Sequence, residues 1–139
     1  MITLIKTLEK VRTDYPISVA EMPSAYEYFD EVLDEGEKQE LVDALAFGPE
    51  CGEPIPGTQN RLREYCYCFG NGTNKRQIKV IYFFYDLNMP LYVIAAFDAK
   101  TKITITDRET KTMMELTDKI IAEYSQKNIG LMLSQKSTA

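Results

Sequence analysis

The chain has 139 residues, 45% of them hydrophobic, which suits one compact domain, since a chain of this length buries roughly two-thirds of its unfolded surface. Its 16 Lys+Arg against 21 Asp+Glu leave a net charge of -5, a poor overall match for nucleic acid. With no histidine, imidazole triads are excluded, and three cysteines neither make a disulfide framework nor let Cys66-x-Cys68 complete an ordinary four-ligand metal site.

Residues 2–12 place Leu4, Leu8 and Val11 at helical spacing and Tyr15-Pro16 ends that helix, so residues 1–15 read as an N-terminal helical extension. Ile17 to Met22 alternates as a short strand. Pro23-Ser24-Ala25-Tyr26-Glu27 then carries a Ser-x-x-Glu capping box opening a helix whose apolar face is Tyr26, Phe29 and Leu33. Gly36 breaks it. Leu41, Val42, Leu45 and Ala46 face a second helix that Gly48-Pro49 stops, and the two form a helical hairpin.

Residues 48–58 are rich in proline and glycine and read as a structured loop. Arg61 to Phe69 alternates, with Arg61, Arg63, Tyr65 and Tyr67 on one face and Leu62, Glu64, Cys66 and Cys68 on the other, so one strand face is basic and aromatic. Gly70 to Asn74 is a hairpin connection. Gln77 to Tyr85 and Leu91 to Phe97 are nearly continuous apolar runs, as expected of central strands covered by helices. Thr106-x-x-Glu109 is a second capping box, and Met113, Leu116, Ile120 and Tyr124 form the apolar stripe of a last helix expected to pack on the sheet. Residues 127–139 give no clear signal and read as a tail, which leaves 16–126 as the domain.

Charge is unevenly spread. Residues 1–55 hold 4 Lys+Arg against 13 Asp+Glu, while residues 56–139 hold 12 against 8. Arg61, Arg63, Lys75, Arg76 and Lys79, offset only by Glu64, account for the whole positive surplus of the second part. Such a cluster is either a patch that meets an anion or a solvated hairpin. The apolar run Val80 to Phe84 is too short to span a bilayer and the N-terminus has no signal-peptide centre, so the expectation is a cytoplasmic protein with reduced thiols.

The architecture is α+β, and from Ile17 to Tyr124 the residues resemble the RelE/HigB-like toxins of the RelE/ParE superfamily. The resemblance rests on Pro49-Glu50-Cys51-Gly52, on the turn Ile55-Pro56-Gly57-Thr58 followed by Arg61 and Arg63, and on the strand Lys79-Val80-Ile81-Tyr82-Phe83. The turn Asp86-Leu87-Asn88-Met89-Pro90-Leu91 and the helix start Ile105-Thr106-Asp107-Arg108-Glu109 complete it. Lys79 stands where such toxins usually carry Arg.

The resemblance implies a helical hairpin packed on a small, mainly antiparallel twisted sheet with a C-terminal helix. It further implies the toxin of a type II toxin–antitoxin pair, a ribosome-dependent endoribonuclease that cuts mRNA and inhibits translation, with a cognate antitoxin, the ribosome and mRNA as partners. In that chemistry the RNA 2′-hydroxyl attacks the adjacent phosphate while Lys, Arg and sometimes Tyr offset charge or take the proton, so neither metal nor cofactor is expected. Arg61, Arg63, Lys79 and Tyr82 are then the catalytic candidates, and Lys75, Arg76, Tyr65, Lys100 and Lys102 the RNA-binding ones. Two other readings stay open: a non-catalytic inhibitor on the same fold, as in the gyrase-directed branch, and an acidic α+β interaction domain.

Overall fold

The computed structural model describes residues 16–137, with side chains described as far as residue 125. The expected helix over 2–12, and with it the 1–15 extension, lies outside the described residues. The chain divides into two compact units, one ending at Thr104 and the other beginning at Ile105.

The first unit is α+β. Strand β1 (Val19–Glu21) leads into helices α1 (Pro23–Val32) and α2 (Glu35–Phe47), then strands β2 (Glu53–Pro54), β3 (Leu62–Phe69), β4 (Arg76–Phe83) and β5 (Leu91–Asp98). The five strands form one mixed sheet in the order β1-β5-β4-β3-β2. The three later strands make the expected antiparallel meander, β2 adds to it antiparallel, and β1 lies parallel to β5.

Two local expectations are corrected. The Ser24/Glu27 capping box does not form: Met22 is the residue that caps α1, without a side-chain bond, and Pro23 occupies the first turn. Proline has no N–H to satisfy and its φ already suits a helix, so the helix can begin one residue before Ser24. Nor does Gly36 break the hairpin. It lies inside α2, whose start is set by Asp34: the carboxylate accepts from the Glu37 N–H at 2.7 Å while the Glu37 carboxylate accepts from the Asp34 N–H at 3.0 Å. That reciprocal cap satisfies two orphan donors and turns the chain at Leu33-Asp34.

The expected strand over 17–22 is narrower as a ladder, Val19–Glu21, yet its flanks are tied too: Ile17 N–H donates to Ala46 O, Leu91 N–H to Ser18 O, and Met22 N–H to Val93 O. Against one face of the sheet lies a single apolar cluster. Ala25, Phe29 and Leu33 from α1 and Leu41 and Leu45 from α2 meet Tyr67, Ile78, Val80, Tyr82, Leu91 and Val93. Ile81 and Phe83, which project to the opposite face of β4, are fully buried as well, so this strand is covered on both sides as its unbroken apolar run predicts. Where Ile81 pairs with Ala95 and Tyr82 with Val93, Ile94 is left over as a β-bulge.

The second unit is helix α3 (Asp107–Ser137). Its cap is the expected one: Glu109 N–H donates to Thr106 Oγ1 at 3.1 Å and Thr106 N–H to Glu109 Oε1 at 3.0 Å. The helix runs on through Ser137, beyond Gln126 where the apolar periodicity fades. No helix among the described residues is long and apolar enough to cross a membrane.

Phe29 is 1% exposed at the centre of the cluster, and Phe29→Ala is expected to cost about 3–5 kcal/mol. Urea unfolding followed by far-UV circular dichroism measures it as a lower midpoint at unchanged slope.

Candidate nucleic-acid interface

The catalytic candidates are dispersed over the β3–β4 ladder. Arg63 and Tyr82 are cross-strand partners, and both turn toward the helix-covered face. Tyr82 is 0% exposed. A phenol taken that far from water needs a partner for its hydroxyl. It finds two on the 49–52 loop, donating to Pro49 O at 2.8 Å and accepting from Gly52 N–H at 2.9 Å. Arg63 holds the same loop, its Nη1 donating to Gly52 O at 2.8 Å and to Glu50 O at 3.2 Å.

Gly52 is required by this packing, because a Cβ there would lie 2.8 Å from the Tyr82 ring and hydroxyl. Burial, the dominant cause, raises the Tyr82 pKa well above the ordinary phenol value, so the hydroxyl stays protonated. Tyr82, expected as a catalytic candidate, is placed as a buried anchor of this loop, its hydroxyl already holding one donor and one acceptor. Arg63 likewise spans loop carbonyls, where its planar fork of donors does structural work.

Lys79 projects to the other face. Its ammonium lies 3.6 Å from Glu64 Oε1 and donates to Ile103 O, with the side chain only 18% exposed. From that face it does not meet Arg63 or Tyr82, so the catalytic candidates do not share one site. Arg61 enters β3 half-exposed, just after the turn in which Thr58 Oγ1 donates to Ile55 O at 2.7 Å.

The basic and aromatic strand face is also reassigned. Tyr65 and Tyr67 pack toward the helical hairpin, and Tyr67 Oη donates to Glu40 Oε2 at 3.3 Å. Burial, then Glu40, pushes the Tyr67 phenol up to about 12. Tyr65, raised first by burial, is no open stacking platform for a base. The strand alternates as its pattern predicts, but both of its faces mix polar and apolar groups. Only the position of α2 decides which one goes inside.

What the fold does assemble is a cleft at the opposite end of the ladder. Cys68, Phe69, Gly70, Lys75, Arg76 and Lys100 are among the residues that line about 510 Å³ there. The six-residue step from Arg63 to Phe69 along β3 sets this cleft roughly 20 Å from the loop anchor. Of the RNA-binding candidates, Lys75, Arg76 and Lys100 therefore come together. Lys102 does not line the cleft: its ammonium lies 5.4 Å from the ring of Phe97, which pairs with Lys79 and projects to the other face of the sheet.

The cleft is organised by residues that charge counting overlooks. Asp98 accepts from Lys100 N–H at 2.8 Å and from Arg76 Nη2 at 3.3 Å. The Lys100 amide, chiefly, holds the Asp98 carboxyl below its ordinary value, with Arg76 adding to it. Arg76 also sits 5.4 Å from the Phe69 ring, which stacks on Tyr67 at 5.7 Å. Gly70, at φ +90°, lets the hairpin close here. Phe69 and Asp98 could have been suspected from the strand ends they occupy, but nothing in a linear pattern brings residue 69 beside residue 98.

The cysteines Cys51, Cys66 and Cys68 are free and exposed. Among the described residues no group of three or more His, Cys, Asp or Glu is arranged to hold a metal ion. No family model matches the chain, and no curated protein matches it.

Tyr82→Phe is expected to destabilise the protein by about 1–3 kcal/mol, since it leaves the buried Gly52 N–H without its acceptor. Because the phenols of Tyr65, Tyr67 and Tyr82 are raised in the fold, the unfolded chain loses those protons first. Their contribution to stability is complete below about pH 10 and falls as pH rises toward the folded values, about 12 for Tyr67. Denaturant titrations in alkaline buffers should show that decline, with a shallower slope in Tyr82→Phe.

Proposed function

We propose that this chain is a RelE/ParE-like toxin that acts on translation by gripping RNA in the cleft at the hairpin end of its sheet. The observation that carries the reading is the convergence of Lys75, Arg76 and Lys100 on one concavity in a chain whose net charge is -5. Cations matter most when they share one concave surface, where each meets a successive phosphate of the same strand. Phe69 in the wall adds a ring against which an unstacked base can lie. The order of strand, helical hairpin, antiparallel meander and helix supports the RelE-like arrangement that the motifs imply.

In this reading the 2′-hydroxyl of the bound RNA gives its proton to water and attacks the adjacent phosphate, forming a 2′,3′-cyclic phosphate as the bond to the 5′-oxygen breaks and that oxygen takes a proton from water. The charge building on the phosphoryl oxygens is offset by Lys75, Lys100 and the guanidinium of Arg76. Arg76 gives one nitrogen to Asp98, which orients its fork. Its remaining donors suit a phosphate. The cleft residues take the role the motifs assign to Arg61, Arg63, Lys79 and Tyr82. The protein works in the cytoplasm on the ribosome and its mRNA, and a cognate antitoxin masks the basic end with an acidic segment.

A second reading, a non-catalytic inhibitor on the same fold, is favoured by the burial of Tyr82 and the Lys79–Glu64 pair. Primer-extension mapping of mRNA after brief induction separates the two. Ribosome-dependent cuts in the wild type that vanish in Lys75→Ala/Lys100→Ala support the nuclease. Growth arrest without cuts supports the inhibitor. In binding titrations with single-stranded RNA, each lysine removed from the cleft should flatten the salt dependence of log K by about 0.7, while Lys79→Gln leaves that slope unchanged.

A further inference from the structure

The outer edge of β3 is only partly covered. Strand β2 pairs with Arg63 and Glu64 alone, and Ile55 N–H reaches Leu62 O, so among the described residues nothing bonds the edge from Tyr65 to Phe69. The bond Phe84 N–H to Arg61 O sets the parity of the β3–β4 ladder, in which the odd-numbered residues of β3 direct their backbone groups to β4. Cys66 and Cys68 consequently direct N–H and C=O outward, and their side chains are exposed. Folded proteins blunt such edges with charge, proline or extreme shortness. Tyr65-Cys66-Tyr67-Cys68-Phe69 has no charge and no proline. The other edge strand, β1, has three residues and ends in Glu21.

We infer that this edge is a homodimer interface, in which two copies of the chain join antiparallel through β3 about a twofold axis at Tyr67. The occupant follows from the symmetry of the segment. Antiparallel pairing about residue 67 sets Tyr67 against Tyr67 of the second copy, Tyr65 against its Phe69, and Cys66 against its Cys68. Each face thus meets its own kind, aromatic with aromatic and thiol with thiol, as an isologous contact requires. It also places the outward backbone groups of Cys66 and Cys68 in register, so that they exchange four hydrogen bonds across the axis. No like charges oppose one another within the five residues. A foreign strand gains the backbone bonds but not this self-matching.

The register is testable through the thiols. Hydrogen-bonded antiparallel pairs have Cα atoms about 5.5 Å apart, within the range a disulfide spans. Diamide should therefore oxidise Cys66 and Cys68 of the second copy to a disulfide, the two thiols losing two protons and two electrons to the diazene, which becomes the hydrazine. In the full-length chain carrying Cys51→Ser, the expected product is a covalent dimer whose linked peptide joins Cys66 to Cys68. Multi-angle light scattering before oxidation should give twice the chain mass. Cys66→Glu/Cys68→Glu, which sets carboxylates against each other only in the dimer, should give a monomer with an unchanged circular dichroism spectrum. A monomeric wild type, a dimer that persists in the double glutamate variant, or a Cys66-only chain that cross-links as readily as the pair would each overturn the inference.

Discussion

One hydroxyl group ties the first unit together. Tyr82 sits on a central strand with both faces covered, so its oxygen has no water to turn to. The backbone of the 49–52 loop supplies both partners, and this requirement propagates outward. It demands glycine at 52, since any Cβ would collide with the phenol. It also places the loop carbonyls where Arg63, the cross-strand neighbour of Tyr82, can hold them. The loop so fastened feeds β2 onto β3 and sets the register of the sheet's outer end.

The cations of the sheet fall into two groups by place. Arg63 and Lys79 are occupied by loop carbonyls, Glu64 and the Ile103 carbonyl. Lys75, Arg76 and Lys100 converge at the hairpin end, gathered around Asp98, whose carboxylate orders the Lys100 amide and the Arg76 guanidinium. Meanwhile the helical hairpin presents Glu27, Asp30, Glu31, Asp34, Glu35, Glu40 and Asp43 to solvent. Acidic side chains thus dominate the helical hairpin and cations the far end of the ladder, although the net charge of the chain is negative.

Most of the fold was legible because hydrophobic period and turn chemistry are local. The apolar runs marked β4 and β5, the alternation marked β3, and Thr106-x-x-Glu109 marked the start of α3. The misreadings were also local: Pro23 displaced Ser24 as the start of α1, and Asp34-x-x-Glu37, itself a readable cap, moved the break away from Gly36. In each case two plausible caps competed within a few residues. A difference of about 1 kcal/mol decides such a contest.

The candidate site was legible as a composition and not as a place. That the second part of the chain carries a compact positive surplus, that no imidazole chemistry is possible, and that β4 and β5 are central strands all follow from residue types and their order. Which cations face a common space does not. That depends on which side of β3 the helical hairpin covers, and both sides offered aromatic or apolar groups, Tyr65, Tyr67 and Phe69 on one and Leu62, Cys66 and Cys68 on the other, together with polar ones. Burial of Tyr65 and Tyr67 goes with that choice, because two rings, one with a hydroxyl that reaches Glu40, withdraw more surface from water than two exposed thiols would. Tertiary packing thus turned the inward-facing Arg63 and Tyr82 into supports and left the far end of the ladder as the charged cleft.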